Sequence, residues 1–213
     1  MRPDVALLCL GLIYAAPSIA YAGLCDDNLA QMNITSDDRV TSDYFDDYFI
    51  SKHGSVYHIF SNKQVPLDFT TLVQVMEAPE HYPEFMPGYR GIKIVRNPGG
   101  ELLTAISFRT GFTPFTSRFT TLVETTNSDS EYQQCWRQLD ENDTRVIEEF
   151  SMAPKTNQGF WRFKKMASGE IEMNYFSMIK PPVPIPDFLY KRIVKSSYKD
   201  VFEQIIRRTR TRQ

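Results

Sequence analysis

The sequence predicts an α+β domain: a curved antiparallel sheet, two short helices near its start and one long helix at its end. Three observations carry this reading. From residue 92 to residue 179 the chain is a succession of β-like runs broken by turn residues. Amphipathic helical spacing appears just before that region, at 67–76 and 80–85. The longest helical periodicity, 187–208, comes last, and Pro181, Pro182, Pro184 and Pro186 separate it from the strands.

Each element has its own signal. Val56, Tyr57 and Ile59 make 55–60 a strand. Pro66 suits the first position of a helix in which Phe69, Leu72, Val73 and Met76 form one apolar face. The strand 92–96 ends at Asn97-Pro98-Gly99-Gly100, a strong turn. Leu102, Thr104, Ile106, Phe108, Thr110 and Phe112 share one parity, and Phe115, Phe119, Thr121 and Val123 continue the alternation. Further strands are expected at 132–139, 146–152, 159–166 and 171–179. Tight turns between them leave no room for crossover helices, so the sheet is antiparallel. In the last helix Asp187 is the expected N-cap, and Leu189, Ile193, Val194, Tyr198, Val201, Phe202, Ile205 and Ile206 form a stripe that should lie on the concave face of the sheet.

Residues 1–22 read as a signal peptide. Arg2 is a minimal basic start, 5–13 is an apolar core too short to span a bilayer, and Ala20-Tyr21-Ala22 fits small-x-small cleavage. The expectation is cleavage after Ala22 and a periplasmic or secreted protein. Residues 23–53 form an acidic arm carrying Asp26, Asp27, Asp37, Asp38, Asp43, Asp46 and Asp47, weakly ordered except where Tyr44, Phe45, Tyr48, Phe49 and Ile50 have the spacing of a short helix. The folded domain is 54–208, and 209–213 is a basic tail. Cys9 leaves with the leader, so Cys25 and Cys135 remain. Two thiols in an oxidising compartment can pair. Because Cys25 sits in the arm, the expectation is that the two stay apart.

Composition excludes several classes. A net charge of −2 gives no bulk attraction to nucleic acid. His53, His58 and His81 match no zinc spacing, and on one strand His53 and His58 would face opposite ways. No nucleophile elbow, P-loop or dinucleotide fingerprint is present. Glu148 and Glu149 are adjacent and so cannot form a carboxylate pair on a strand. No catalytic residue, metal or cofactor is assigned. Arg109, Arg118, Arg137 and Arg162 read as cross-strand partners on the solvent face. Arg207 to Arg212 read as favourable charge at a helix C-terminus, with weak contact to an anionic membrane surface as a secondary expectation.

Two motifs carry a family resemblance. Tyr82-Pro83-Glu84-Phe85-Met86-Pro87, followed by Gly88 and a β run, joins the small helices to the sheet. Gly159-Phe160-Trp161-Arg162-Phe163 precedes the last hairpin and the proline-rich approach to the final helix. Together they resemble the START-like, or SRPBCC, superfamily, in particular its polyketide cyclase and coenzyme Q-binding branches. The resemblance implies a helix-grip (START-like/Bet v 1-like) fold enclosing a hydrophobic ligand. It implies a protein that binds or transfers a lipid, sterol, quinone or polyketide-like molecule; the leader adds export, and a monomer is expected. The wall would be drawn from Tyr82, Phe85, Met86, Tyr89, Phe108, Phe112, Phe119, Trp161, Phe163, Tyr198 and Phe202. A cyclase or dehydratase using His81, Tyr82, Tyr89 or Arg109 is one alternative. A ligand-free interaction module acting through the acidic arm is the other.

Overall fold

Alternation along each strand gives two differently covered faces to one nine-stranded antiparallel sheet, the centre of the computed structural model, which describes residues 23–28, 30, 43–45, 48–96, 101–109 and 115–212. The strands are β1 (Asp43–Phe45), β2 (Tyr48–His53), β3 (Val56–Val65), β4 (Tyr89–Arg96), β5 (Leu102–Phe108), β6 (Ser117–Asn127), β7 (Glu131–Gln138), β8 (Thr156–Lys165) and β9 (Ile171–Lys180). Their spatial order is β1-β2-β3-β9-β8-β7-β6-β5-β4. Between β3 and β4 lie α1 (Phe69–Met76), a 3-10 turn (Pro79–His81) and α2 (Tyr82–Phe85); α3 (Asp187–Arg210) closes the chain.

The inner face meets the helices. Ile59 and Val65 of β3, Tyr132 of β7, Trp161 and Phe163 of β8, and Ile171 and Met173 of β9 share one core with Leu72 and Met76 of α1 and Val194, Phe202 and Ile205 of α3. The α1 helix starts later than Pro66 suggests. Asp68 caps it, accepting from the Thr71 N–H and hydroxyl at 2.7 Å each, an interaction worth about 1 kcal/mol at such positions.

The outer face has a second, smaller core of Leu24, Cys25, Cys135, Phe160 and Phe176, with Leu122 and Met178 against it. This corrects the reading of the cysteines. Cys25 and Cys135 are disulfide-bonded, 110 residues apart, because a helical turn over 24–28 lies across β7 and β8 instead of staying free. Asn28, also buried there, donates its Nδ2 hydrogen to the Gly159 carbonyl at 2.8 Å.

The structure differs from the sequence reading elsewhere too. Tyr48–His53 is a strand, not a helix: it pairs along the edge of β3 from Tyr48↔Ser61 to His53↔Val56, burying Ile50 inward and setting Phe49 against Phe60 outward. Three successive apolar residues fit either period, and the unpaired edge of β3 decides the matter. The sheet therefore begins before residue 54. His53 and His58 sit on the two arms of that hairpin, on the same outer face, with rings 5.1 Å apart. Burial, helped by the charge of His53, pushes the His58 imidazole down to about 4. The segment 146–152 forms no strand beyond a single bridge from Ser151 to Arg118. It is part of a connection laid over the outer face of β6, where the Ile147 N–H donates to the buried Thr120 hydroxyl. Arg162 bonds Glu131 across the outer face at 2.8 and 3.2 Å.

Breaking the Cys25–Cys135 bond by reduction or Cys135→Ser is expected to cost about 2–4 kcal/mol, since it frees a loop of 110 residues in the unfolded chain. Denaturant melts of oxidised and reduced protein measure this directly. An unchanged midpoint would mean the arm contributes nothing to the fold.

Candidate functional site

An aromatic seam runs between the sheet and α3. Trp161 is its hub: its ring centroid lies 4.5 Å from Tyr175, 5.0 Å from Phe202 of α3 and 5.9 Å from Phe163. Phe163 stacks on Tyr132 at 5.7 Å. Strand alternation explains the grouping, since β8 places Trp161 and Phe163 on one face and register sets Tyr175 opposite Trp161 and Tyr132 opposite Phe163. Trp161, Phe163 and Phe202 are thus brought together. Tyr175 and Tyr132 join them and were not singled out in the sequence, although their alternation within 171–179 and 132–139 was the available signal.

The seam continues through the helix-to-sheet junction. Tyr82 is buried, and its hydroxyl donates to the Met76 carbonyl at 2.6 Å, tying the end of α1 to the start of α2. Burial raises its phenol well above the usual tyrosine range. Edge-on contacts lead from Tyr82 to Phe85 (5.9 Å), from Tyr82 to Tyr89 (5.8 Å) and from Tyr89 to Phe108 (5.6 Å). Gly88 makes the last step possible. Its φ is 88°, and an added Cβ would come within 2.5 Å of the Phe108 ring. Met86 is buried beside them. Phe119 is buried on the inner face opposite Ile106, next to the strand that carries Phe108. Phe112 and the Tyr198 side chain lie outside the described residues.

Both ends of α3 are latched by polar groups. At its start Pro186, not Asp187, is the cap residue. Asp187 is the first helical residue, and its carboxylate accepts from Lys52 Nζ at 2.6 Å and from the Tyr57 hydroxyl at 2.7 Å. The Tyr57 ring stacks on Tyr190 at 3.6 Å. Lys52, then Tyr57, holds the Asp187 carboxyl below its ordinary value. A small cavity of about 80 Å³ lies here, lined by Ile50, Ser51, Lys52, Tyr57, Asp187 and Lys191. At the far end Arg208 donates to Glu84 of α2 at 2.8 Å and lies over the Phe85 ring. His81 shares Glu84 at 2.6 Å, and its hydrogen bond, then the charges of His81 and Arg208, lowers the Glu84 carboxyl. None of these pairs was legible in the sequence, because each joins segments more than 120 residues apart or turns on which atom a surface acid meets.

Among the described residues no group of three or more His, Cys, Asp or Glu side chains could hold a metal ion. Among the described residues no helix is long and apolar enough to cross a membrane.

No protein-family model and no curated protein sequence matches the chain. Solved structures do. A STAR-related lipid transfer protein from Xanthomonas axonopodis aligns at TM-score 0.59 and 11% identity, over 78% of this chain and 99% of that one. The lipid transfer and protein localization domain of human StarD13 aligns at TM-score 0.62 and 9% identity, over 89% and 98%. The fold is START-like. A Streptomyces aromatase/cyclase, ZhuI, shares it at TM-score 0.56 and 10% identity, over 74% of this chain and 95% of that one. The START-like helix-grip arrangement accounts for the placement of α3 across the inner face and for the two small helices after the first hairpin.

The Asp187 latch has a defined pH dependence. Its carboxyl is depressed in the folded state, so its contribution is complete above the ordinary aspartate value and lost as pH falls through the folded one. Protection of the amides in the first turns of α3, taken relative to their intrinsic exchange at each pH, should fall below about pH 4. Asp187→Asn should show the lower protection already at neutral pH and lose that acid step. Identical exchange profiles for the two proteins would remove the latch.

Proposed function

We propose that this protein is an exported carrier that holds a hydrophobic small molecule, of the lipid, sterol, quinone or polyketide-like class, between the inner face of the sheet and α3. One observation carries the reading: next to the buried core of Trp161 and Phe202, the inner face of β4 and β5 presents apolar side chains that remain half-buried. These are Tyr89, Ile92, Ile106 and Phe108. Apolar surface left partly uncovered on the face of a sheet gripped by a helix is suited to an apolar ligand. Lipid transfer and aromatase/cyclase proteins of the same fold support the class. The disulfide and the leader-like residues 1–22 support export to the periplasm or medium.

Lipids retained by the gently purified protein, read by native mass spectrometry and extraction, test this. A defined apolar species recovered unchanged is expected. The same species recovered chemically altered would favour a cyclase-type enzyme, and an empty protein that excludes apolar probes would leave interaction as the role. Phe202→Ala discriminates further. A solid core should lose about 3–5 kcal/mol on this change. A ligand wall should lose clearly less, while binding of an apolar fluorescent probe changes substantially.

A carrier must also reach its donor surface, and the outward side of α3 offers a cationic one. Phe188, Arg192, Lys195 and Lys199 recur at helical spacing and are all exposed, Phe188 to 76%, with exposed Val183 just ahead of them. Farther along α3, Arg208 pairs with Glu84, and the docking surface for anionic lipid is placed on this stripe. Each cation near such a surface contributes about 1 kcal/mol, so Arg192→Glu with Lys195→Glu should reduce partitioning onto phosphatidylserine vesicles at least tenfold. Vesicle co-sedimentation measures it. Equal binding to zwitterionic vesicles, or no loss in the double variant, would remove the membrane contact and leave the carrier reading intact.

A further inference from the structure

The export reading, on which this inference rests, gains a specific atomic consequence from the way the arm crosses the outer face. Gly23 lies against Glu124 of β6: a Cβ built on it would stand 3.2 and 3.3 Å from the two carboxylate oxygens. Glu124 is directly opposite Cys135 in the β6–β7 register, and Cys135 is bonded to Cys25. Asn28 then reaches the Gly159 carbonyl on β8, next to Phe160, the cross-strand neighbour of Cys135. The arm therefore steps across β6, β7 and β8 in succession. A covalent bond holds it at β7 and a buried hydrogen bond at β8. At β6 a carboxylate faces a residue that has no side chain.

We propose that cleavage of the Ala22–Gly23 bond creates the third anchor, an α-ammonium on Gly23 that pairs with Glu124 and fastens the mature N-terminus to β6. Ala20-Tyr21-Ala22 ends a small-x-small run at that bond. Hydrolysis by an endopeptidase consumes one water, leaving a carboxylate on Ala22 and an ammonium on Gly23. Before cleavage the Gly23 nitrogen is an uncharged amide. Afterwards it is a charged group on the Cα whose Cβ direction meets the Glu124 carboxylate oxygens at 3.2 and 3.3 Å. Processing, oxidation and docking of the arm thus converge on one cross-strand pair, Glu124 and Cys135.

The test compares two oxidised forms of the protein, one beginning at Gly23 and one keeping Tyr21 and Ala22 ahead of it, each with Glu124 and with Glu124→Gln. The substitution should lower the Tm of the form beginning at Gly23 by about 1–3 °C at low salt, the size expected of a partly exposed pair in a chain this long. It should leave the extended form unchanged. The Gly23 amine should titrate above the usual α-amino range of about 7.7–8.0, and return to it in Glu124→Gln. Intact mass of the exported protein should show a chain starting at Gly23. Equal Tm losses in both forms, or an amine titration that ignores the substitution, would overturn the pair. Cleavage at another bond with the disulfide intact overturns this site alone. A full-length cytosolic chain with free Cys25 and Cys135 overturns the export reading along with it.

Discussion

The burial of α3 against the inner face is the constraint on which the rest of the structure depends. A sheet face that presents Trp161, Phe163, Tyr132 and Met173 cannot remain open to water, and α3 supplies Val194, Phe202 and Ile205 to cover it. The division of labour along the helix follows. Its middle is held by buried apolar contact, its two ends by exposed charge: Asp187 with Lys52, and Arg208 with Glu84. Exposed pairs stabilise weakly and are screened by salt. The charged pairs therefore trim the ends of a helix whose hold on the sheet comes from buried contact, from Tyr190 on Tyr57 to Phe202 on Trp161.

The outer face has a different task. In the centre of the sheet it is covered by the arm, whose Leu24 and Cys25 pack with Phe160 and Phe176. That is why β8 reads as apolar on both parities, with Phe160 outward and Trp161 inward. It also explains why the arm is part of the domain. Without it, Phe160 and Phe176 would face solvent on the very strands that build the inner wall.

Regular periodicity made much of this legible. The apolar faces of α1 and α3, the alternation of β5, β6, β8 and β9, and the turns between them all follow from spacing. What was lost has physical reasons. Tyr48, Phe49 and Ile50 satisfy helix and strand periods equally, and a partner strand makes the choice. Val146 to Met152 has strand composition, and hydrogen bonding to Thr120 uses its backbone instead. Of the site, Trp161, Phe202 and the Tyr82–Tyr89 group could be named from aromatic content and order along the chain. Lys52, Tyr57 and Asp187 could not, since an exposed lysine and an aspartate 135 residues apart acquire meaning through the fold alone.

The cross-link between Cys25 and Cys135 also bears on how the chain finds this arrangement. Side chains alternate along a strand, so sliding β7 by one residue against its neighbours would turn Cys135 inward and send Gln134 or Trp136 out in its place. In that misaligned sheet the sulfurs could not meet. Oxidation is therefore conditional on correct alignment of β6, β7 and β8, and once made it removes the slipped alternatives from the accessible ensemble. The bond serves as a record that the strands were paired correctly before the arm was closed over them.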